Sequence, residues 1–183
     1  ASIRPVEMLP DAEALPGSLS SLGHGAMERT VVIKLNGGLG TGMGLEKAKS
    51  LLQVRDDLTF LDIIAQQAIG VGAPLLLMNS FATNEESLAV LNHYSSLCGR
   101  LPLSFLQHKQ PKVEVETLAP AHWPEDSELE WCPPGHGDLY VALVTSGMLD
   151  QLLAAGYEDA FISNADNLGA VLDLSILGHF IDN

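Results

Sequence analysis

Cysteine is scarce: Cys98 and Cys132 are the only two among 183 residues. They are too few for a disulfide framework and too far apart for a CxxC signature, so packed, reduced thiols and a cytoplasmic protein are expected. Basic side chains are scarce as well, with 9 Lys and Arg against 23 Asp and Glu, a formal net charge of −14. A field of that sign repels nucleic acid and anionic membrane surfaces, and neither is expected as a partner. No apolar run approaches the ~20 residues that a membrane span needs, and residues 1–29 lack the apolar stretch of a secretory signal. What remains is a chain with 46% hydrophobic residues, enough to bury the core of one domain.

The acidity has a chemical consequence. A phosphate ligand in such a chain must be held locally, by backbone N–H groups, one or two lysines and a divalent cation.

Residues 1–29 carry Pro5, Pro10 and Pro16 with Gly17, Gly23 and Gly25. That composition interrupts long elements and reads as an arm packed on a body that starts near Thr30. From Thr30 onward strand-like and helix-like segments alternate, the pattern of an α/β domain with a largely parallel sheet. Thr30–Leu35 is a β-branched apolar run that stops at Asn36-Gly37-Gly38. Leu61, Ile64, Ala65, Ala68 and Ile69 recur at helical spacing behind a Thr59/Asp62 capping box, with Gly70 as the stop. Pro74–Asn79 reads as a second strand, Thr83 with Glu86 as the cap of a helix reaching Tyr94, and Leu101–Gln107 as a third strand. Residues 114–130 are acidic and irregular. Asp138 caps a helical pattern that Gly147 interrupts, Ala160–Asn164 is a fourth strand, and Leu172–Ile181 a closing helix.

Ligands of open parallel sheets bind beyond the carboxyl ends of the strands. Four polar or Gly-rich features fall there: Asn36–Gly44, Asn79-Ser80, Gln107, and Asn164-Ala165-Asp166-Asn167. The first holds five glycines, Gly37, Gly38, Gly40, Gly42 and Gly44, within eight residues. Lacking Cβ, glycine lets successive N–H groups point at phosphate oxygens. Neither GxGxxG nor GxxxxGK[ST] fits this loop, since Met43 or Leu45 takes the third glycine position and Gly-Lys never occurs. A ligand-free turn accounts for the glycines alone. Lys47, Lys49 and Arg55 follow, basic residues suited to neutralising phosphate or simply to solvent.

In Trp131–Asp138 the prolines fix a turn, and His136 sits between two glycines, facing a ligand or water. Asp166 beyond the fourth strand is a ligand of the kind Mg²⁺ takes, or a turn aspartate.

Taken in order, six segments resemble the eukaryotic-type UTP:glucose-1-phosphate uridylyltransferase family: KLNGGLGTGMG (Lys34–Gly44), KAKSLLQV (Lys47–Val54), TFLDIIAQQ (Thr59–Gln67), LLLMNSFAT (Leu75–Thr83), PPGHGDLY (Pro133–Tyr140) and SNADNLGAVLD (Ser163–Asp173). The resemblance implies a Rossmann-like nucleotide-diphospho-sugar transferase fold with helices on a mostly parallel sheet, residues 30–183 forming the nucleotide-binding part behind the arm at 1–29. It implies formation of UDP-glucose and pyrophosphate from UTP and glucose 1-phosphate with Mg²⁺. Leu35, Asn36, Gly37 and Gly38 would surround the nucleotide and Lys49 would bind phosphate. Gln107 and Gly135 would meet uridine, and His136 and Asn164 the sugar phosphate. Asp166 would hold the metal.

Plant and animal members usually read Thr-Ser-Met-Gly and Gly-Pro-Lys-Ser where this chain has Thr41-Gly42-Met43-Gly44 and Lys47-Ala48-Lys49-Ser50, which leaves Lys47 as a competitor of Lys49. Members also continue into a second lysine and a C-terminal β-helix with no counterpart here. The fold is therefore expected to be incomplete at the C-terminus, and the isolated chain inactive or nearly so. Self-association stays open. Two alternatives remain: another UDP-sugar pyrophosphorylase, of which the UDP-N-acetylhexosamine enzymes usually read Gly-Gly-Gln-Gly-Thr-Arg where this chain reads Gly37-Gly38-Leu39-Gly40-Thr41-Gly42, and a non-catalytic nucleotide-binding module.

Overall fold

The computed structural model describes residues 8–40, 44, 47–99 and 101–183. In chain order the elements are α1 (Gly17–Ala26), β1 (Thr30–Asn36), β2 (Gln53–Arg55), β3 (Leu58–Thr59), α2 (Phe60–Val71), β4 (Leu75–Asn79), α3 (Asn84–Leu91), β5 (Ser104–Leu106), β6 (Gln110–Pro111), β7 (Trp131–Cys132), α4 (Leu139–Thr145), α5 (Met148–Ala154), β8 (Asp159–Asn164) and α6 (Leu174–Asp182).

Four strands form a parallel sheet in the order β5-β4-β1-β8. β1 is central and covered on both faces, which is why it reads as an unbroken apolar run rather than an alternating one. Val32 packs with Leu61, Ile64, Ala65 and Leu77 beneath α2 and α3. Val31 and Ile33 pack with Leu76, Phe105, Leu139, Ala142 and Leu152 beneath α4 and α5. From β1 the chain steps outward through β4 to β5, then returns to place β8 on the other side of β1. That reversal makes a crevice at the carboxyl end of β1, the topological switch point where such sheets bind ligands.

The expected α/β architecture is therefore present, and its differences from the sequence reading are local. α2 begins with the Thr59/Asp62 capping box but passes Gly70, ending at Gly72, whose φ of 77° and N–H bonds to Ala68 and Ile69 carbonyls close the helix. Thr83 does not cap α3 through its side chain. Its hydroxyl instead donates to the Asn36 carbonyl at 2.7 Å and accepts from the Ser80 N–H at 3.0 Å. α3 ends at Leu91 rather than Tyr94, and β5 covers only Ser104–Leu106. Gly147 separates α4 from α5 with a φ of 72°.

Residues 1–29 hold a ten-residue helix, α1, that sequence composition disguised as a breaker. It crosses α6 at two glycines. A Cβ on Gly23 would fall 1.9 Å from the Leu174 carbonyl oxygen, and one on Gly178 would fall 1.9 Å from that of Leu19. The two backbones approach so closely that only hydrogen fits at either position. No helix among the described residues is long and apolar enough to cross a membrane.

Candidate active site

The carboxyl ends of β1, β4, β5 and β8 surround a cavity of about 230 Å³. Leu35, Asn36, Gly37, Gly38, Lys49, Gln107, Gly135, His136, Asn164 and Asp166, the ten residues to which the family resemblance gave roles, all line it. Four further residues share the wall: Ser50, Met78, Pro133 and Ala165. Pro133 and Ala165 lie within motifs already noted, and Ser50 follows Lys49. Met78 carried no polar signal to single it out.

Lys49 reaches the cavity because residues 38–40 pair with residues 47–49. Leu39 and Ala48 form an antiparallel bridge, Gly40 N–H donates to the Lys47 carbonyl at 3.2 Å, and Lys49 N–H donates to that of Gly38 at 3.4 Å. This pairing separates the two competing lysines: Lys49 lines the cavity, while Lys47 is exposed outside it. It also spends the Gly40 N–H within the chain, leaving Gly37 and Gly38 as the loop glycines at the cavity among the described residues. Residues 41–43 of the expected phosphate loop lie outside the described residues.

Lys49 Nζ stands 3.6 Å from Asp166 Oδ2 across the switch point, both side chains about four-tenths exposed. Asp166 is carried by the segment after β8, which extends the ladder through the Ala165 N–H to the Leu35 carbonyl at 3.0 Å. Two side chains beneath the sheet strap that segment down. Lys34 Nζ donates to the Ala170 carbonyl at 2.8 Å, and Gln67 Nε2 donates to that of Leu168 at 3.1 Å. Lys34 is 3% exposed, and this burial pushes its pKa below the usual lysine value.

Asn36 lines the cavity with its amide turned away. Its Nδ2 donates to Asn79 Oδ1 and Ser87 Oγ, both at 2.8 Å, and Asn79 in turn donates to Asn84 at 3.1 Å. Asn79 and Ser80, read as site-edge residues, are buried in this network behind the cavity rather than in its wall. They fix the exit of β1, so the amides of Gly37 and Gly38 are presented by a rigid support.

Gln107, 6% exposed, is wedged between two glycines. Its Oε1 accepts from Gly135 N–H at 3.4 Å, and its Nε2 occupies the space where residue 37 would carry a Cβ. Gly135 has φ 99° and ψ −165°, a conformation that favours glycine, and it delivers His136 to the cavity at the start of a short 3-10 turn, His136–Asp138. Asp138 does not cap α4 as the sequence suggested. Its carboxylate instead accepts from His108 N–H at 2.7 Å and faces His108 Nδ1 at 2.9 Å, tying the strand end that carries Gln107 to the turn that carries His136. On the same side, β6 pairs with β7, and Lys109 Nζ lies 4.7 Å and 5.4 Å from the ring centres of Phe81 and Trp131.

Chemically the cavity offers one ammonium, one carboxylate, an imidazole, an exposed amide at Asn164, and main-chain groups at Gly37 and Gly38. Among the described residues no group of three or more His, Cys, Asp or Glu is placed to hold a metal. A single carboxylate beside a lysine and main-chain groups is a donor set that would suit a hard cation arriving with phosphate oxygens, since Mg²⁺ takes one or two protein carboxylates and fills its shell with water and phosphate.

Residues 2–183 match the sequence model of a family described as UTP--glucose-1-phosphate uridylyltransferase. A UTP--glucose-1-phosphate uridylyltransferase of Solanum tuberosum is 44% identical over 165 residues, covering 86% of this chain and 34% of the relative. One of Saccharomyces cerevisiae is 45% identical over 163 residues, covering 85% of this chain and 32% of the relative. Among solved structures, a UDP-glucose pyrophosphorylase mutant from Leishmania major in complex with UDP-glucose superposes with a TM-score of 0.84 at 40% identity, covering 98% of this chain and 39% of that one. A protein described as UDP-glucose phosphorylase from Trypanosoma brucei gives 0.81 at 43% identity, with 99% and 38% covered. The chain thus spans about a third of the length of the curated relatives it matches.

Proposed function

Because the chain belongs to the UTP--glucose-1-phosphate uridylyltransferase family, we propose that it provides the nucleotide-binding part of an enzyme making UDP-glucose and pyrophosphate from UTP and glucose 1-phosphate. The observation that carries this reading is the Lys49–Asp166 pair, 3.6 Å apart at the mouth of a cavity walled by Gly37, Gly38, Gln107, Gly135 and His136. The relatives are about three times as long as the stretch they share with this chain, so turnover is proposed for a polypeptide of that length and nucleotide binding for the chain itself.

The reaction is an in-line displacement: an oxygen of the sugar phosphate bonds to the α-phosphorus of UTP as the bond to the pyrophosphate leaving group breaks. No protein nucleophile is required, so the protein acts by alignment and by neutralising charge. The Gly37 and Gly38 main chain lets the nucleotide approach the end of β1 closely. Lys49 meets the negative charge that builds on the departing phosphates. Gln107, held between Gly37 and Gly135, presents its amide to the uracil ring, while His136 and Asn164 orient the sugar phosphate. Asp166 is the side chain that would hold Mg²⁺, which would supply positive charge to polarise phosphate oxygens. A cytoplasmic setting goes with this reading, supported by the free thiols Cys98 and Cys132.

The test is a panel of UTP with glucose 1-phosphate, galactose 1-phosphate and N-acetylglucosamine 1-phosphate, scored by pyrophosphate release from the full-length protein. Glucose 1-phosphate is the expected preferred substrate, and Asp166→Asn is expected to cost several orders of magnitude. Preference for another sugar phosphate would overturn the specificity. Near-normal turnover by the variant would remove the metal role.

A further inference from the structure

One polar residue of the cavity wall, Ser50, has an unspent side chain and no task in this scheme. Ser50 follows Lys49 in a 3-10 turn, Lys49–Leu51, and is 1% exposed while lining the same cavity as Lys49 and Asp166. Its hydroxyl has no hydrogen-bond partner among the described residues. Buried hydroxyls are ordinarily satisfied, because one left without a partner loses its bonds to water and gains none in return.

The neighbouring polar groups are already engaged. The Asn36 amide is spent on Asn79 and Ser87, and the Gln107 carbonyl accepts from Gly135. The turn itself is pinned by Leu51 N–H to the Ala48 carbonyl at 2.9 Å, by Leu52 N–H to that of Lys49 at 3.1 Å, and by the Leu39–Ala48 bridge. An unspent donor is thus held in the wall beside the cavity's ammonium, where an acceptor-only phosphate oxygen would satisfy it.

We propose that the Ser50 hydroxyl is a ligand-binding group, donating a hydrogen bond to a phosphate oxygen of the bound nucleotide next to Lys49. Ammonium and hydroxyl then divide the work. Lys49 supplies charge with little directional demand, and Ser50 supplies direction at low cost in side-chain entropy. This rests on the family reading above and adds a residue to it.

A purely structural serine and a ligand-binding one predict opposite effects of removing the hydroxyl. Ser50→Ala should raise the Tm measured without ligand by about 2–4 °C, because an unsatisfied group disappears. It should also weaken binding of Mg²⁺–UTP, followed by titration calorimetry on this chain, by about tenfold or more. Ser163 supplies the control: its hydroxyl is likewise buried without a partner but does not line the cavity. Ser163→Ala should leave affinity unchanged. Unaltered affinity in Ser50→Ala, alongside a loss in Lys49→Ala, would overturn the Ser50 assignment and leave the family reading standing. A fall in ligand-free Tm for Ser50→Ala would overturn the assignment too, since the hydroxyl would then be satisfied by a buried water. A wild-type chain that binds no UTP would overturn the family reading, and the Ser50 assignment with it.

Discussion

Gly37 and Gln107 are fitted to each other within the radius of one methyl group: a Cβ at position 37 would lie 1.6 Å from Gln107 Nε2. The glycine after β1 is thereby required by a side chain 70 positions further on, as well as by any ligand.

Gly37→Ala should force Gln107 out of its buried position, away from Gly135. The atoms met are the far end of a flexible side chain, so the loss, read as a lower urea midpoint, should lie at the lower end of the about 1–3 kcal/mol that overpacking costs. UTP affinity should fall as well. Gln107→Ala removes the obstacle, so adding Gly37→Ala to it should cost little further stability. Equal losses from Gly37→Ala in both backgrounds would mean that the glycine is needed for its backbone alone.

The α1–α6 crossing makes a separate prediction. A methyl group on Gly23 or Gly178 collides with a carbonyl oxygen of the facing helix, which cannot rotate aside as a side chain can. Gly23→Ala and Gly178→Ala should each loosen α1, read as faster amide hydrogen exchange across residues 17–26, while exchange in β1 stays slow. Unchanged protection in α1 would contradict the close packing described here.

Acid sensitivity should trace in part to Asp62. Burial alone would raise its pKa, but hydrogen bonds from the Thr59 hydroxyl, the Thr59 N–H and the Tyr94 hydroxyl outweigh this and hold it below the ordinary 3.8. A group whose folded pKa is depressed contributes stability above its unfolded pKa and loses that contribution as the pH falls through the folded one. Stability should therefore drop as the pH is taken below about 4. Asp62→Asn should be less stable at pH 7, by about 1 kcal/mol for the impaired cap, and should show a shallower acid decline. Urea midpoints between pH 3 and 7 check both. Parallel pH profiles for variant and wild type would exclude Asp62 as a contributor.

What could be read from the sequence divides along local and distant causes. β1, β4 and β8 were legible because an apolar run stopped by polar or Gly-rich residues is a local signal. The α2 capping box was legible for the same reason, with both partners three residues apart. α1 was not: Gly17, Gly23 and Gly25 weaken a helix in isolation, and the reason Gly23 stands there is the Leu174 carbonyl, far along the chain. Asp138 and Thr83 fitted local cap patterns, yet His108 and the Asn36 carbonyl claim their side chains. At the site, ordered motifs picked out residues that one cavity gathers, but only the Leu39–Ala48 pairing separates Lys49 from Lys47. Ser50 gave no sequence signal, because an unsatisfied hydroxyl is a property of the folded wall.

The central claim is that Lys49 and Asp166 act together on a metal-bound nucleotide phosphate. Its most direct test is calorimetric titration of UTP into this chain, with and without Mg²⁺, for wild type, Lys49→Ala and Asp166→Asn. Mg²⁺ should strengthen binding to wild type. Asp166→Asn should abolish that enhancement while retaining metal-free binding, and Lys49→Ala should bind more weakly under both conditions. Metal enhancement in Asp166→Asn equal to that of wild type would contradict the account.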